Sequence, residues 1–372
     1  MKITGVEPIV LRLPNVDVTR ADGTQDALLV RIHTDEGLTG IGEADSSPFL
    51  VKTAIEMPSS HSMARGIAEL LIGTDPLQID RLWDLVQQAT RYYGPGGVAL
   101  HALSAIDIAL WDLTGKALGQ PVSELLGGRR TERVRVYASA VMPESPEAAG
   151  ALATQAVADG YGAFKLGWGP LGQDLGRDAE LIAAARRALG PSRLLMIDGG
   201  QVYTVKSARR LLERTANEDL FWFEEPFAHD DLDSYRRLSD STDVMIAGGE
   251  VESGRAAFEQ LIRVGHLDVV QPDLAHCGGF TVGRQLRDLC RDSGPMIVPH
   301  CFSSGVLVAA SLHFAASLDR PVLSEYSIAD SPLVGELLEQ PFKLEDGCLA
   351  VPSQPGLGVT LNEDLVERLR VT

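Results

Sequence analysis

The chain has 372 residues, enough for two domains or one large one, and its 45% hydrophobic and 23% charged content is that of a globular protein with a substantial core. A formal charge of −18 argues against a nucleic-acid partner, because phosphate neutralisation needs clustered Lys and Arg and the pairs Arg129-Arg130 and Arg209-Arg210 are isolated. No apolar run approaches the roughly 18 residues of a membrane span, and Met1 to Glu7 carries no apolar signal region, so a cytoplasmic location is expected.

In chain order, residues 2–13, 27–33 and 38–44 are β-branched or alternating, and the turn signals Asp22-Gly23 and Asp35-Glu36-Gly37 part them. That pattern predicts an antiparallel meander. Gly40-Ile41-Gly42 lacks the third glycine and the following helix of a dinucleotide fingerprint, and reads as a turn into a strand. Helices are expected at about 60–72, at 78–90 and from Val98 to Ala117, where Ala102, Ile106, Ala109, Leu110 and Leu113 recur at helical spacing. Of the loops Ser46-Ser47-Pro48 and Tyr92 to Gly97, one is expected to reach an active site as a lid. The cysteines Cys277, Cys290, Cys301 and Cys348 have no CxxC spacing and read as reduced thiols used in packing.

After Gly127-Gly128 a new rhythm begins with Val134 to Tyr137 and Gly162 to Lys165. Six short apolar runs then end in one polar residue each: Asp198, Glu224, Glu250, Asp273, His300 and Glu325, at steps of 26, 26, 23, 27 and 25 residues. Those steps suit repeated strand–helix units, with helices such as Asp178 to Leu189 and Thr281 to Asp292 filling the gaps. In a (β/α)₈ barrel the strand C-terminal ends form the active site. Beyond Glu325 the rhythm stops, and residues 340–372 are expected to return to the first domain.

Asp198, Glu224 and Glu250 on three adjacent strands converge, and three carboxylates within about 4 Å repel unless a cation neutralises them. Oxygen ligands with room for water and substrate suit Mg²⁺, or Mn²⁺, over Zn²⁺. Asp273 and His300 are placed as a dyad in which the carboxylate fixes the imidazole tautomer and frees the other nitrogen as a base. Glu325 is placed as a neutral acid near a developing oxyanion, and Lys165 as a fixed positive charge at the same mouth. Together these groups describe abstraction of a proton α to a carboxylate.

On these residues the chain resembles the enolase superfamily, within it the mandelate racemase/muconate lactonizing enzyme family. The resemblance runs through Ala102 to Asp112, Leu125-Leu126-Gly127-Gly128, Glu224-Glu225-Pro226, Gly249-Glu250, Gln271-Pro272-Asp273, Val298-Pro299-His300 and Glu325-Tyr326. It implies an α/β chain built as a modified TIM barrel, (β/α)₇β, with an α+β capping domain completed by the C-terminal segment. The expected division is capping domain 1–128, barrel 129–339 and returning segment 340–372. It also implies Mg²⁺ on Asp198, Glu224 and Glu250, the Asp273–His300 base, Glu325 as electrophilic acid, loops near 15–25 and 46–61 choosing the substrate, and an even-numbered homo-oligomer, dimer to octamer.

Two positions depart from the family pattern. Gly167 stands where racemases carry the second lysine of Lys-x-Lys, and Gly200 where an asparagine is common. The leading expectation is a lyase that dehydrates a sugar acid, an aldonate or aldarate, to a 2-keto-3-deoxy acid. A racemase or epimerase of a 2-hydroxy acid, a lactone cycloisomerase, and a non-catalytic descendant are the alternatives.

Overall fold

The structure is a computed structural model that describes residues 1–94, 96–320 and 323–371. Pro95 of the expected lid loop and Val322 of the eighth expected strand lie outside the described residues. Strands β1 (Ile3–Arg12), β2 (Asp26–Thr34) and β3 (Thr39–Ala44) form the antiparallel meander, with Ile9 opposite Leu29 and Leu29 opposite Glu43. Helices α1 (Pro48–Glu56), α2 (Ile67–Leu71), α3 (Ile79–Thr90) and α4 (Val98–Leu118) follow. Two of these correct the sequence reading. The helix expected at 60–72 is only the turn and a half of α2, and α1 occupies a stretch read as loop. Pro48 at the first turn needs no amide partner there, and Val51, Ala54 and Ile55 bury one face of α1.

Helix α4 is buried from Ala99 to Gly115, and it is apolar all round because it is enclosed on every side. Among the described residues it is the one helix long and apolar enough to cross a membrane, and 94% of that window is buried inside the fold. Gly40 and Gly42 of β3 lie against it: a Cβ on Gly40 would meet the Ala109 carbonyl oxygen at 2.1 Å, and one on Gly42 the Ala105 oxygen at 2.0 Å. Close sheet-to-helix approach, with no nucleotide involved, explains that glycine pair.

Helix α5 (Val122–Leu125) leads into the repeat: β4 (Arg133–Val141), α6 (Pro146–Ala158), β5 (Ala163–Gly167), α7 (Leu175–Leu189), β6 (Leu194–Asp198) and α8 (Val205–Arg214). It continues with β7 (Leu220–Glu224), α9 (Leu232–Ser239), β8 (Met245–Gly248), α10 (Arg255–Arg263), β9 (Val269–Val270), α11 (Gly279–Ser293), β10 (Met296–Ile297), α12 (Gly305–Ala316) and β11 (Leu323–Ser327). These eight strands pair in parallel in the order β10-β9-β8-β7-β6-β5-β4-β11, a curled sheet with seven intervening helices. Helix α13 (Pro332–Gly335), strand β12 (Cys348–Ala350), helix α14 (Glu363–Leu369) and strand β13 (Arg370–Val371) complete the chain. β12 runs antiparallel to β4, while β13 pairs with β1 and extends the meander to four strands.

The inside of the curled sheet is filled by Tyr137, Ala163, Met196, Trp222, Ala247, Val269, Val298 and Leu323, a core cluster separate from the main one between sheet and helices. Side chains two positions apart on a strand share a face. Two residues beyond Ala163, Met196, Trp222, Val298 and Leu323 come Lys165, Asp198, Glu224, His300 and Glu325. The apolar plug is thus the floor on which the polar groups stand.

Candidate active site

Above that floor is a cavity of about 320 Å³, lined from the barrel by Lys165, Gly167, Trp168, Asp198, Glu250, His300, Phe302 and Glu325, among others. The meander side contributes Ala21, Asp22, Gly23 and Asp45. The expected substrate loop near 15–25 is therefore present at the cavity, whereas residues 46–61 and 92–94 do not line it.

Register places the carboxylates side by side, with Gly167 paired to Asp198 and Asp198 to Glu224. Oxygens of Asp198, Glu224 and Glu250 lie within 4.8 Å of one another. Two of them are held from behind: Gly200 donates its amide to Asp198 Oδ1 at 2.9 Å, and Trp222 Nε1 donates to Glu224 Oε2 at 2.9 Å. Burial first, then Glu224, pushes the Asp198 carboxyl well above its ordinary range. Burial first, then Glu225, does the same to Glu250, against the pull of His300. Lys165 lies among these anions, hydrogen-bonded to Glu224 and with Nζ 2.9 Å from Glu325 and 3.9 Å from Asp198. Although burial opposes it, Glu224 and then Glu325 hold the ammonium charged.

Asp273 and His300 are partners in a single parallel bridge, and Asp273 Oδ2 lies 2.8 Å from His300 Nδ1. The other oxygen of Asp273 accepts from the Ala275 amide at 2.7 Å, which fixes the carboxylate plane. His300 Nε2 faces the cavity, 3.3 Å from Glu250 Oε2 and 3.7 Å from Glu325 Oε2. Burial alone would lower the imidazole; Glu250, then Glu325 and Asp273, together raise it well above its ordinary value. Opposed influences act on Glu325. Burial pushes it up, but Lys165 and then His300, with donors Ser139 and the Cys301 amide, bring it down to about 2.

Gly167 has a steric cause. A Cβ there would meet Asp198 Cβ at 2.2 Å, so this backbone leaves no room for any side chain at position 167.

Residues 2–127 match the mandelate racemase/muconate lactonizing enzyme N-terminal domain, and residues 148–365 the enolase C-terminal domain-like family. The chain belongs to the mandelate racemase/muconate lactonizing enzyme family. Within the family, it is 35% identical to the D-galactarolactone cycloisomerase of Agrobacterium fabrum, over 92% of this chain and 91% of that one. It is 28% identical to the arabinonate dehydratase of Saccharolobus solfataricus, over 94% and 92% of the two chains. A racemase from Streptomyces coelicolor A3(2), solved with bound magnesium, superposes with a TM-score of 0.88 at 30% identity, over 99% of this chain and 100% of that one.

The family's carboxylate triad fits a divalent cation on this chain's own chemistry. Two buried carboxylates and the partly exposed one of Glu250 converge, and Glu250 Oε2 makes no hydrogen bond among the described residues. Two supporting groups escaped the sequence reading. Glu225 adopts a φ of 34° and its Oε1 accepts from the Gly249 amide at 3.1 Å, tying the loop after β7 to that of Glu250. Asp45 follows β3 directly, and its carboxyl lies within 4.8 Å of Asp273 and His300. A polar residue ending an alternating strand was the signal for Asp45. It was hidden because β3 belongs to the other sheet.

Proposed function

We propose that this enzyme abstracts the proton α to a carboxylate and dehydrates a sugar acid to a 2-keto-3-deoxy acid. The observation that carries the reading is the Asp198–Glu224–Glu250 cluster facing the His300–Asp273 dyad across one cavity. Asp198, Glu224 and Glu250 would hold Mg²⁺, which supplies an electrophile for the substrate carboxylate and countercharge for the enediolate. Lys165 adds a fixed cation on the same side. With Glu250 neutralised, His300 loses the first of the anions that raise it, and its Nε2 can take the α-proton while Asp273 holds Nδ1. The same imidazolium then returns the proton to the departing 3-hydroxyl. Glu325 orients the Lys165 ammonium and closes the far side of the site. In this reading residues 1–128 cap the site, 129–339 carry it, and 340–372 return to the cap, a division supported by the β13–β1 pairing.

Lactone cycloisomerisation is the second reading, favoured by the 35% identical relative of that name and equally served by one base. Racemisation is disfavoured, since Gly167 offers no side chain as a second base. A panel of sugar acids and lactones, assayed for 2-keto acid with Mg²⁺ and again with a chelator, tests the proposal. Metal-dependent keto-acid formation from sugar acids supports it; isomerised lactone without keto acid from any sugar acid overturns the dehydration. In D₂O, substrate recovered from partial turnover should keep its C2 configuration. Recovery of the inverted epimer would establish racemisation instead.

A further inference from the structure

The run Gly167-Trp168-Gly169 leaves β5 at the mouth of the barrel. Trp168 has a φ of 58°, in the left-handed region, where Gly169 at 70° is unstrained and a bulky side chain is not. The turn is fixed on both sides. The Met142 amide donates to the Gly167 carbonyl at 2.6 Å, and the Trp168 amide donates to the Asp198 carbonyl at 3.4 Å. A Cβ on Gly169 would meet the Met142 carbonyl oxygen at 2.5 Å, so the backbone has no slack there. A backbone outlier held this firmly by its surroundings points to a side chain whose direction matters.

That direction is the cavity. The indole lines it while resting against Gly200, where a Cβ would come within 3.4 Å of Trp168 Cδ2 and Cε3. In the curled sheet β5 stands five strands from β10, the strand that leads to His300, so Trp168 and the base face the cavity from different sides. The protein has four tryptophans. Trp83, Trp111 and Trp222 are at most 6% exposed, and their indole N–H groups donate to the Gly278 carbonyl, Thr281 Oγ1 and Glu224 Oε2. Trp168 is 36% exposed, and its Nε1 has no hydrogen-bond acceptor among the described residues. An apolar ring with an unused donor, set in the wall of a polar site, suits a polyhydroxy chain: C–H groups pack on the ring face and a hydroxyl accepts from the N–H.

We propose that Trp168 is a specificity-determining residue, its indole being the platform for the carbon chain of the sugar acid beyond C2. The inference rests on the proposed seating of the reacting carboxylate at the Asp198–Glu224–Glu250 cluster. Trp168 is bonded through its backbone to Asp198, so a substrate held at the cluster by its carboxylate and 2-hydroxyl brings its chain to the ring.

Acrylamide quenching of tryptophan emission reads this ring directly, because the other three indoles are buried. In the His300→Asn protein with Mg²⁺, aldonates of the sugar-acid panel should shield Trp168 from acrylamide. Glycolate, which keeps the carboxylate and its hydroxyl but has no chain, should not. Trp168→Gly suits the left-handed backbone and should leave the melting temperature unchanged or raised. In that variant aldonate affinity should fall at least about tenfold through the lost apolar contact, with glycolate affinity unchanged. With His300 in place, the same substitution should raise KM and change kcat far less, the mark of binding lost equally in ground and transition states. Quenching untouched by every aldonate of the panel, or parental aldonate affinity in Trp168→Gly, overturns the proposal. An equal loss for glycolate also overturns it, since the variant would then be disturbing the metal cluster. Aldonates that shield the ring and yield no keto acid would sink the dehydration and leave this inference standing; keto acid formed by Trp168→Gly at the parental KM would do the reverse.

Discussion

Both oxygens of Glu224 are engaged: one takes the Trp222 indole N–H, and the other reaches the Lys165 ammonium. Replacing it with Gln removes a charge from the cluster while keeping its shape, so calorimetry should show Mg²⁺ affinity severely weakened and activity lost. Unchanged affinity would remove Glu224 from the ligand set. His300→Asn should cut kcat by about 10² to 10⁴, the usual contribution of a general base, with fold and Mg²⁺ binding retained. Asp273→Asn should cost less, because it disturbs the tautomer and leaves the imidazole. Near-normal turnover in His300→Asn would move the base to Lys165. At this scale the six polar strand ends were legible in spacing alone, since each ends a short apolar run. The contacts of Glu325 with Lys165 and His300 were not legible, because these residues meet it only in space. Gly167 was visible as a departure, but its cause, the Asp198 side chain in the next strand, required the register.

Helix α12 shows how elements lock the site to its surroundings. Its N-terminus follows the His300 loop, where the buried Glu43 of β3 accepts from Ser303 Oγ at 2.7 Å, Ser304 Oγ at 2.6 Å and the Leu307 amide at 2.8 Å. Burial pushes Glu43 up while these donors pull it down. At the other end of the helix, buried His313 accepts from the Ser123 amide at 3.2 Å and donates to the Leu357 carbonyl at 3.1 Å, the pattern of a neutral ring. Burial pushes its imidazole down to about 4 from 6.5. Between those values the unfolded chain binds the proton and the folded chain does not, so stability falls as pH drops from 6.5 toward 4. The loss should reach about 3 kcal/mol, at roughly 1.4 kcal/mol per unit. Urea unfolding across that range should show the slope in the parent protein and a shallower one in His313→Gln; equal slopes would refute the assignment. The periodicities of the strands and of α4 were readable because they repeat over many residues. α1 was not, because its nine residues open with a serine-proline turn signal that serves equally as a cap.

For the molecule as a whole, the buried carboxylates of the cluster are a standing destabilisation that Lys165 offsets only in part. A cation that binds the folded chain alone raises its stability by mass action, about 2.7 kcal/mol at a hundred times Kd. Mg²⁺ should therefore raise the melting temperature of the wild-type protein, and EDTA should lower it again, with little response in Glu224→Gln. An equal Mg²⁺ response in both proteins would show that the ion acts elsewhere. The ladder of strands was recoverable from sequence because each unit repeats the same physics. The meeting of the two sheets was not, since Glu43, Asp45 and Asp273 come together only once the meander rests on the barrel mouth.

The pairing of β13 with β1 joins positions far apart in the chain: Arg370 reaches Glu7 at 2.7 Å across 363 positions. Translation at about 5–20 residues per second leaves β1 waiting for roughly twenty to seventy seconds before that partner exists. During that interval the outer backbone groups of β1 are an open edge, a template for any passing strand. The stretch of β1 at Val10 and Leu11 gains its outer partner only when β13 emerges.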